Sequence, residues 1–547
     1  MRALRSEDVR DITFLVAITA LSAAPYILGL GFYSDDWTFI EAMGFSPGRS
    51  PLDFFRALYV EPVHMRPVQI AQIAILYWLF GDSPLGYHIW NLALLCTMVV
   101  LLNVVLREIG VARFIALAIA LLYGLLPHYS TDRFWIAAFQ ANLSMLLYLV
   151  SAWCQLRAAR AASSRRAWHL TSAICMMASL LAYEVVLPLF ALTPLLVWYD
   201  AGRRNANRSR AFLTSSAVTL GALIPTVILK LAVATRTRAL PLEEHVVWLA
   251  GLLADATLTG FVDYGLRLPI VLGIVLRTAS EPAAITVGAI TVLASFAWLT
   301  RAARQEDATA PTARGWINVA VAGIAIFYLG YAVFTMNVNA QISAAGISNR
   351  IAIASAIGVS LCFVAVIGIL SSIPRNETWR RRTFCALVSL LAGSTCVVVN
   401  GIAQHWVEAY GKQLQILDIV QRQLPSLAPG TTLILDGFCP YDGPAVVFDA
   451  AWDITSALRV AYGTRDIFAN VVTPNLHAEE EAMVATLYSG GLRDYHAYER
   501  LFIHNIALDL TVRIPDANAA LAYFARYNAD RMGNCPPGRE GIGVPIF

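Results

Sequence analysis

The sequence is short of charge. Asp, Glu, Lys and Arg make up 14% of its 547 residues, against about 25% in a soluble globular chain. With 58% hydrophobic residues and a mean hydropathy of +0.60, this excludes an ordinary soluble protein. A polytopic α-helical membrane protein is predicted instead. The net charge is only +3, so no global electrostatic case exists for nucleic acid as a partner. Metal-binding spacings are missing too. No Cys-x-x-Cys or Cys/His cluster occurs, and a structural zinc site is not expected. Six of the eight Cys (Cys96, Cys154, Cys175, Cys362, Cys385 and Cys396) lie in apolar stretches, where thiols act as small core residues. There is no Gly-x-Gly-x-x-Gly, no Walker loop, no internal repeat, and no low-complexity tract beyond Ala/Arg-rich loops.

What the chain does have is apolar runs. Candidate spans fall near 12–32, 86–106, 112–127, 135–155, 168–182, 185–199, 211–234, 281–300, 316–336, 350–371 and 383–401. Each approaches the roughly 20 apolar residues a span needs. The first is long for a signal-peptide core of about 7–15 residues, so it is expected to be retained. The stretch 246–276 is apolar but broken by Asp255, Asp263 and Arg267. It is either a hairpin of short spans or interfacial, giving 11 or 13 transmembrane helices. Lys and Arg gather at 1–10, 107–113, 157–166, 203–210, 301–314 and 375–382. With these spans all six loops share one face, which is therefore cytoplasmic. The opposite face holds the 33–85 loop, the 128–134 loop, the Tyr183–Glu184 turn, the 337–349 loop and everything after about 402.

The division expected is a transmembrane domain over 1–402 and a soluble α/β domain over 403–547, outside the cytoplasm. "TTLILDGFCP" and "GPAVVFDAA" read as strands between Gly and Pro turns. "AWDITSALRVAY" and "ANAALAYFARYNADRM" have helical spacing. An oxidising compartment permits a Cys439–Cys535 disulfide. This domain is expected to help hold an acceptor or a partner, with "FCPYDGP" and adjoining loops facing the active cleft.

Ionisable groups at a membrane boundary are candidates for function. On the outer face these are Asp35, Asp36, His64, Arg66, Asp132, Glu184 and Arg350. Asp35 and Asp36 are adjacent in "GFYSDDWTFIEA", so on a helix they point about 100° apart and do different jobs. One acts in chemistry; the other binds a metal, pairs with a cation or caps the helix. Ser34 is a second possible cap. Tyr33, Trp37 and Trp135 read as interfacial aromatics.

"YSDDW" after the first span resembles the acidic motif of the class C glycosyltransferases (GT-C), whose members include protein O-mannosyltransferases and aminoarabinose transferases. "HMRPVQIAQIAILYWLFGDSPLGYHIWNLALL" resembles that superfamily's Arg-Pro segment and second span, through Arg66, Pro67, Gly81, His88 and Asn91. "LLPHYSTDRFWIAAFQANL" is similar to a Pro-x₄-Glu-x₂-Trp-Ile segment, with Asp132 in place of Glu. "LAYEVVLPLF" resembles the third outer turn through Glu184 and Pro188, with Tyr183 where Lys is usual. "SNRIAIASAIG" resembles the late Arg that opens a span, at Arg350.

The resemblance implies a GT-C-like fold in the inner (plasma) membrane. It implies a polyprenyl-phosphate sugar donor and a glycan, lipid or protein acceptor. The first external loop, 33–85, is then catalytic. Asp35 is the base for an inverting attack and Asp36 its support or a ligand for a divalent Mg or Mn ion. Arg66, His64, Asp132, Glu184 and Arg350 bind donor phosphate or substrate. The competing reading is a transporter or flippase of lipid-linked or small polar substrates. It is opposed by acids that cluster at one face rather than at the midplane of broken helices.

Overall fold

The computed structural model describes residues 6–60, 63–161, 163–233, 241–278, 281–306, 312–337, 340–374, 376–487 and 492–528. Among these, eight helices are long and apolar enough to cross a membrane: Pro84–Glu108, Ile136–Arg160, Glu184–Arg203, Arg208–Val233, Glu243–Leu266, Pro282–Arg304, Ala313–Thr335 and Glu377–Gln423. Four shorter apolar helices accompany them, at Pro67–Phe80, Arg113–Leu125, Leu268–Thr278 and Ser355–Leu370. The chain is a multi-pass membrane protein with a small sheet domain at its C-terminal end.

Small residues let the helices close up. A Cβ on Gly358 would lie 2.4 Å from the Gly323 carbonyl oxygen. The helices carrying these glycines therefore touch backbone to backbone, the packing that membranes favour.

Two expectations need correction. The first helix covers only Ser6–Ala23, and turns follow it, because Pro25 cannot continue the hydrogen-bond ladder. The stretch 33–85 is not an open loop. It folds into Asp35–Gly44, Pro51–Leu58 and the apolar Pro67–Phe80. At 14 residues the last is about 21 Å long, too short to span. Its Trp78 and Leu79 are left exposed, as suits a helix lying against lipid.

The bundle has two chemically different ends. At one, arginines meet acids: Arg113 pairs with Asp11 at 2.7 Å, and Arg160 with Asp200 at 2.7 Å. The other end carries Asp35, Asp132 and Glu184. The helices Pro84–Glu108 and Phe139–Arg160 run between the two ends. Asn91 near the start of the first bonds the Asp132 carbonyl at 2.8 Å, and Glu108 at its finish pairs with Arg157 and Arg160.

Helix Glu377–Gln423 has 47 residues, about 70 Å at 1.5 Å per residue. It runs without a break past position 402, where a domain boundary was expected. The sequence turns polar there, yet Trp406, Ala409, Gln413, Ile416, Leu417 and Val420 keep a buried helical stripe. Beyond it, strands Thr431–Asp436, Ile467–Val471 and Leu501–Asn505 pair in parallel, with Thr431–Asp436 central and Leu510–Arg513 antiparallel at one edge. Helix Ala451–Tyr462 packs between this sheet and the Asp35–Gly44 helix.

Candidate active site

The two adjacent acids open one short helix and have separate partners. Asp36 is buried, and its carboxylate accepts three backbone N–H bonds: Tyr33 at 2.9 Å, Ala137 at 2.7 Å and Ile136 at 3.3 Å. It thereby ties the residue just before its own helix to the turn before the Phe139–Arg160 helix. Ser34 occupies the N-cap position with φ of +48° but makes no side-chain cap bond. With three N–H donors on its two oxygens, Asp36 does not fit the role of an open metal ligand.

Asp35 is only half-buried. Burial pushes its carboxyl above the usual aspartate range, while Arg350, Arg66 and a Trp452 side-chain hydrogen bond oppose that shift. A partly desolvated carboxylate in the field of two guanidinium groups results.

The cations are held from several helices. Arg66 donates to Glu184 at 3.2 and 3.3 Å, and its guanidinium lies 4.6 Å from the centre of the Tyr183 ring. Glu184 also takes the Lys230 ammonium, which in turn donates to the Met65 carbonyl at 3.0 Å. Lys230 was missed by the sequence reading. Lys230 brings an ammonium to this carboxylate from another helix. It is one of only two lysines in the chain and sits in "TVILKLAV". A lone lysine in an apolar helix was the available signal.

Arg350 donates to the Ile347 carbonyl at 2.9 Å and stacks 4.9 Å over Trp135. Asp132 is fully buried, and among the described residues neither carboxylate oxygen has a hydrogen-bond partner. Burial drives its carboxyl well above the usual range, against Arg350 and Arg133. A buried acid without a partner is costly. His64 stands apart from these ion pairs: its ring packs edge-on to Tyr59, and its Nδ1 is buried without a partner.

The supporting residues are equally specific. Asn142 bonds both the Asn91 side chain and the Asp132 carbonyl, at 2.8 and 2.7 Å. His88 Nε2 meets the Gly31 carbonyl at 3.0 Å. Asn349 bonds the His128 and Ala344 carbonyls, each at 2.8 Å. Tyr33, Trp37 and Trp135 are buried struts rather than interfacial aromatics. Tyr33 donates to the Trp406 carbonyl at 2.7 Å, Trp37 to Gln413 at 3.1 Å, and Trp135 to the Tyr33 carbonyl at 2.9 Å. Each has one polar atom to satisfy and finds it across the fold.

The C-terminal domain closes one side. Asp35, Thr38 and Glu41 lie at three-residue spacing on one helix stripe; Trp452, Ser456 and Arg459 form the facing stripe. Thr38 donates to the Trp452 carbonyl at 3.3 Å, Ser456 to Glu41 at 2.7 Å, and Arg459 pairs with Glu41 at 3.1 Å. Removing Arg459 strands a buried carboxylate. Arg459→Ala should therefore lower stability by about 2 kcal/mol, below the 3–5 of a fully buried pair. The Glu41→Met/Arg459→Met double variant should recover most of that. Thermal unfolding of the three proteins checks this order.

His405, Glu408 and Asp442 form a group with metal-ligand spacing. Asp442 is engaged by His405 Nδ1 at 2.9 Å and by the Lys412 ammonium, which ties the long helix to strand Tyr441–Asp442, and the three ligand atoms are close enough together to be compatible with a metal ion. Cys439 is disulfide-bonded; its expected partner, Cys535, lies outside the described residues.

No protein-family model matches the chain, and no protein of curated function matches it. Among solved structures, ArnT from Cupriavidus metallidurans bound to undecaprenyl phosphate matches with 14% identity over 84% of this chain and 85% of that one, at a TM-score of 0.36. Its apo state gives 0.37 over the same shares. The Archaeoglobus fulgidus oligosaccharyltransferase tethered with an acceptor peptide matches with 12% identity over 83% of this chain and 63% of that one, at 0.39. Both matched proteins are class C glycosyltransferases, the superfamily whose motifs the sequence resembles. At these TM-scores the likeness assigns neither substrate nor site to the present chain.

Proposed function

We propose that the chain is an integral-membrane glycosyltransferase that moves a sugar from a polyprenyl-phosphate donor to an acceptor hydroxyl. The observation that carries this reading is Asp35 itself. It is a half-buried carboxylate at one end of a membrane bundle, within the field of Arg66 and Arg350, and Arg350 acts on the buried Asp132 as well. Acid and base stand together where a lipid-borne substrate would present its headgroup. We place this end on the extracytoplasmic face of the inner membrane, opposite the arginine-rich loops.

In the reaction, the acceptor oxygen bonds to the anomeric carbon as the carbon–oxygen bond to phosphate breaks. The phosphate leaves with the electron pair, and Asp35 takes the hydroxyl proton, as a positioned general base does. Attack opposite the leaving group inverts the anomeric configuration. Arg66, with Lys230 and Glu184 behind it, and Arg350 neutralise the departing lipid phosphate. Asp132 receives a sugar hydroxyl. The C-terminal domain, bound directly to the Asp35 helix, forms part of the acceptor's seat.

Thermal unfolding of the purified protein tests donor recognition. Polyprenyl-phosphate sugars and polyprenyl phosphate should both stabilise it, by about 2.7 kcal/mol at a hundredfold excess over Kd. Neutral polyprenol should not. Lys230→Met leaves Glu184 to draw on Arg66 alone and should weaken affinity for the phosphate about tenfold, which about halves that stabilisation. Equal stabilisation by polyprenol would remove the phosphate from the reading.

A further inference from the structure

We propose that the arginine-rich end carries a site for the phosphate headgroup of an anionic phospholipid, between helices Pro282–Arg304 and Glu377–Gln423. Two cavities adjoin there. One of 170 Å³ is lined by Thr300, Arg304, Glu377, Thr378, Arg382 and Cys385 among others. The other, of 500 Å³, is lined by Phe296, Ala297, Thr300, Arg301 and Arg304. They share Thr300 and Arg304 and so form one groove.

The groove is graded from charge to grease. Arg301, Arg304 and Arg382 are exposed at its mouth, and among the described residues no carboxylate pairs with them. Arg381 is already committed: it donates to Glu377 at 3.0 Å and to the Ala303 and Glu306 carbonyls at 2.6 and 3.1 Å. It thus cancels the one acid in the lining and leaves three cations over. The first turn of the long helix, with Thr378, opens on the same space and adds the positive end of a helix dipole. On the lipid-facing side, Leu293, Phe296 and Leu390 stand exposed. Arg forks match phosphate oxygens, and the exposed leucines and phenylalanine match an acyl chain. This occupant is distinct from the donor, which the preceding reading places at the opposite end of the bundle.

The test is native mass spectrometry of the full chain in detergent, titrated with phosphatidylglycerol, phosphatidylcholine or inorganic phosphate. Phosphatidylglycerol should be retained in preference to phosphatidylcholine, and inorganic phosphate should not displace it. Each arginine near an anionic surface is worth about fivefold in lipid partition. The Arg301→Gln/Arg304→Gln/Arg382→Gln variant should therefore lose on the order of a hundredfold. Ala297→Trp, which blocks the groove and keeps every charge, should lose the preference too, while its stabilisation by polyprenyl phosphate persists. Arg166→Gln/Arg208→Gln/Arg210→Gln should leave retention unchanged. Equal retention of both lipids, an equal loss in this control, an unaffected Ala297→Trp protein, or displacement by inorganic phosphate would overturn the proposal.

Discussion

Asp35→Asn is expected to cut sugar transfer by about a thousandfold, within the 10²–10⁴ range of a lost general base. Stability and donor binding should change little. The substitution is isosteric, the position is half-buried, and the Asp36 bonds that hold the helix start are untouched. The wild-type pH profile should carry the same signature. Burial raises the Asp35 carboxyl above the ordinary aspartate value of about 3.9. A base must be unprotonated to act, so kcat/KM should fall as pH drops through a pKa above that value. In Asp35→Asn this acid limb should vanish.

Asp36→Ala should do the reverse. Three backbone N–H groups, of Tyr33, Ile136 and Ala137, lose their acceptor inside the protein. At about 1–3 kcal/mol for each buried unpaired donor, the loss should be at least about 3 kcal/mol. It should show as a collapse in thermal stability or in yield of inserted protein. Asp36→Asn keeps one carbonyl oxygen and should fall between. Measured together, the variants separate an acid that acts from an acid that holds. A common loss of stability in Asp35→Asn and Asp36→Asn would mean that the pair does one structural job.

Local pattern made much of this legible. Apolar runs marked most of the helices, and the basic loops marked one end of the bundle. The pairing of Asp35 with Asp36 on a helix start already required two roles, and the geometry divides them. Long-range partners were not legible. Glu41 and Arg459 are 418 residues apart in sequence, and neither breaks a local rule. Nothing local to Lys230 points to Glu184, which lies 46 residues away in sequence. Tyr33 and Trp37 suggested a bilayer interface because aromatics gather there. Their hydrogen bonds to Trp406 and Gln413 show instead a seam with the long helix. That helix hid its own length, because its outer half is polar by composition and still apolar by period.

The central claim is that Asp35 serves transfer from a lipid-phosphate sugar. It is tested most directly by incubating the purified protein with a panel of radiolabelled polyprenyl-phosphate sugars and a pool of glycan, lipid and peptide acceptors. Wild-type protein should release polyprenyl phosphate and form a product of inverted anomeric configuration, and Asp35→Asn should form neither while still binding donor. Transfer by Asp35→Asn at the wild-type rate, or retention of configuration in the product, would contradict it.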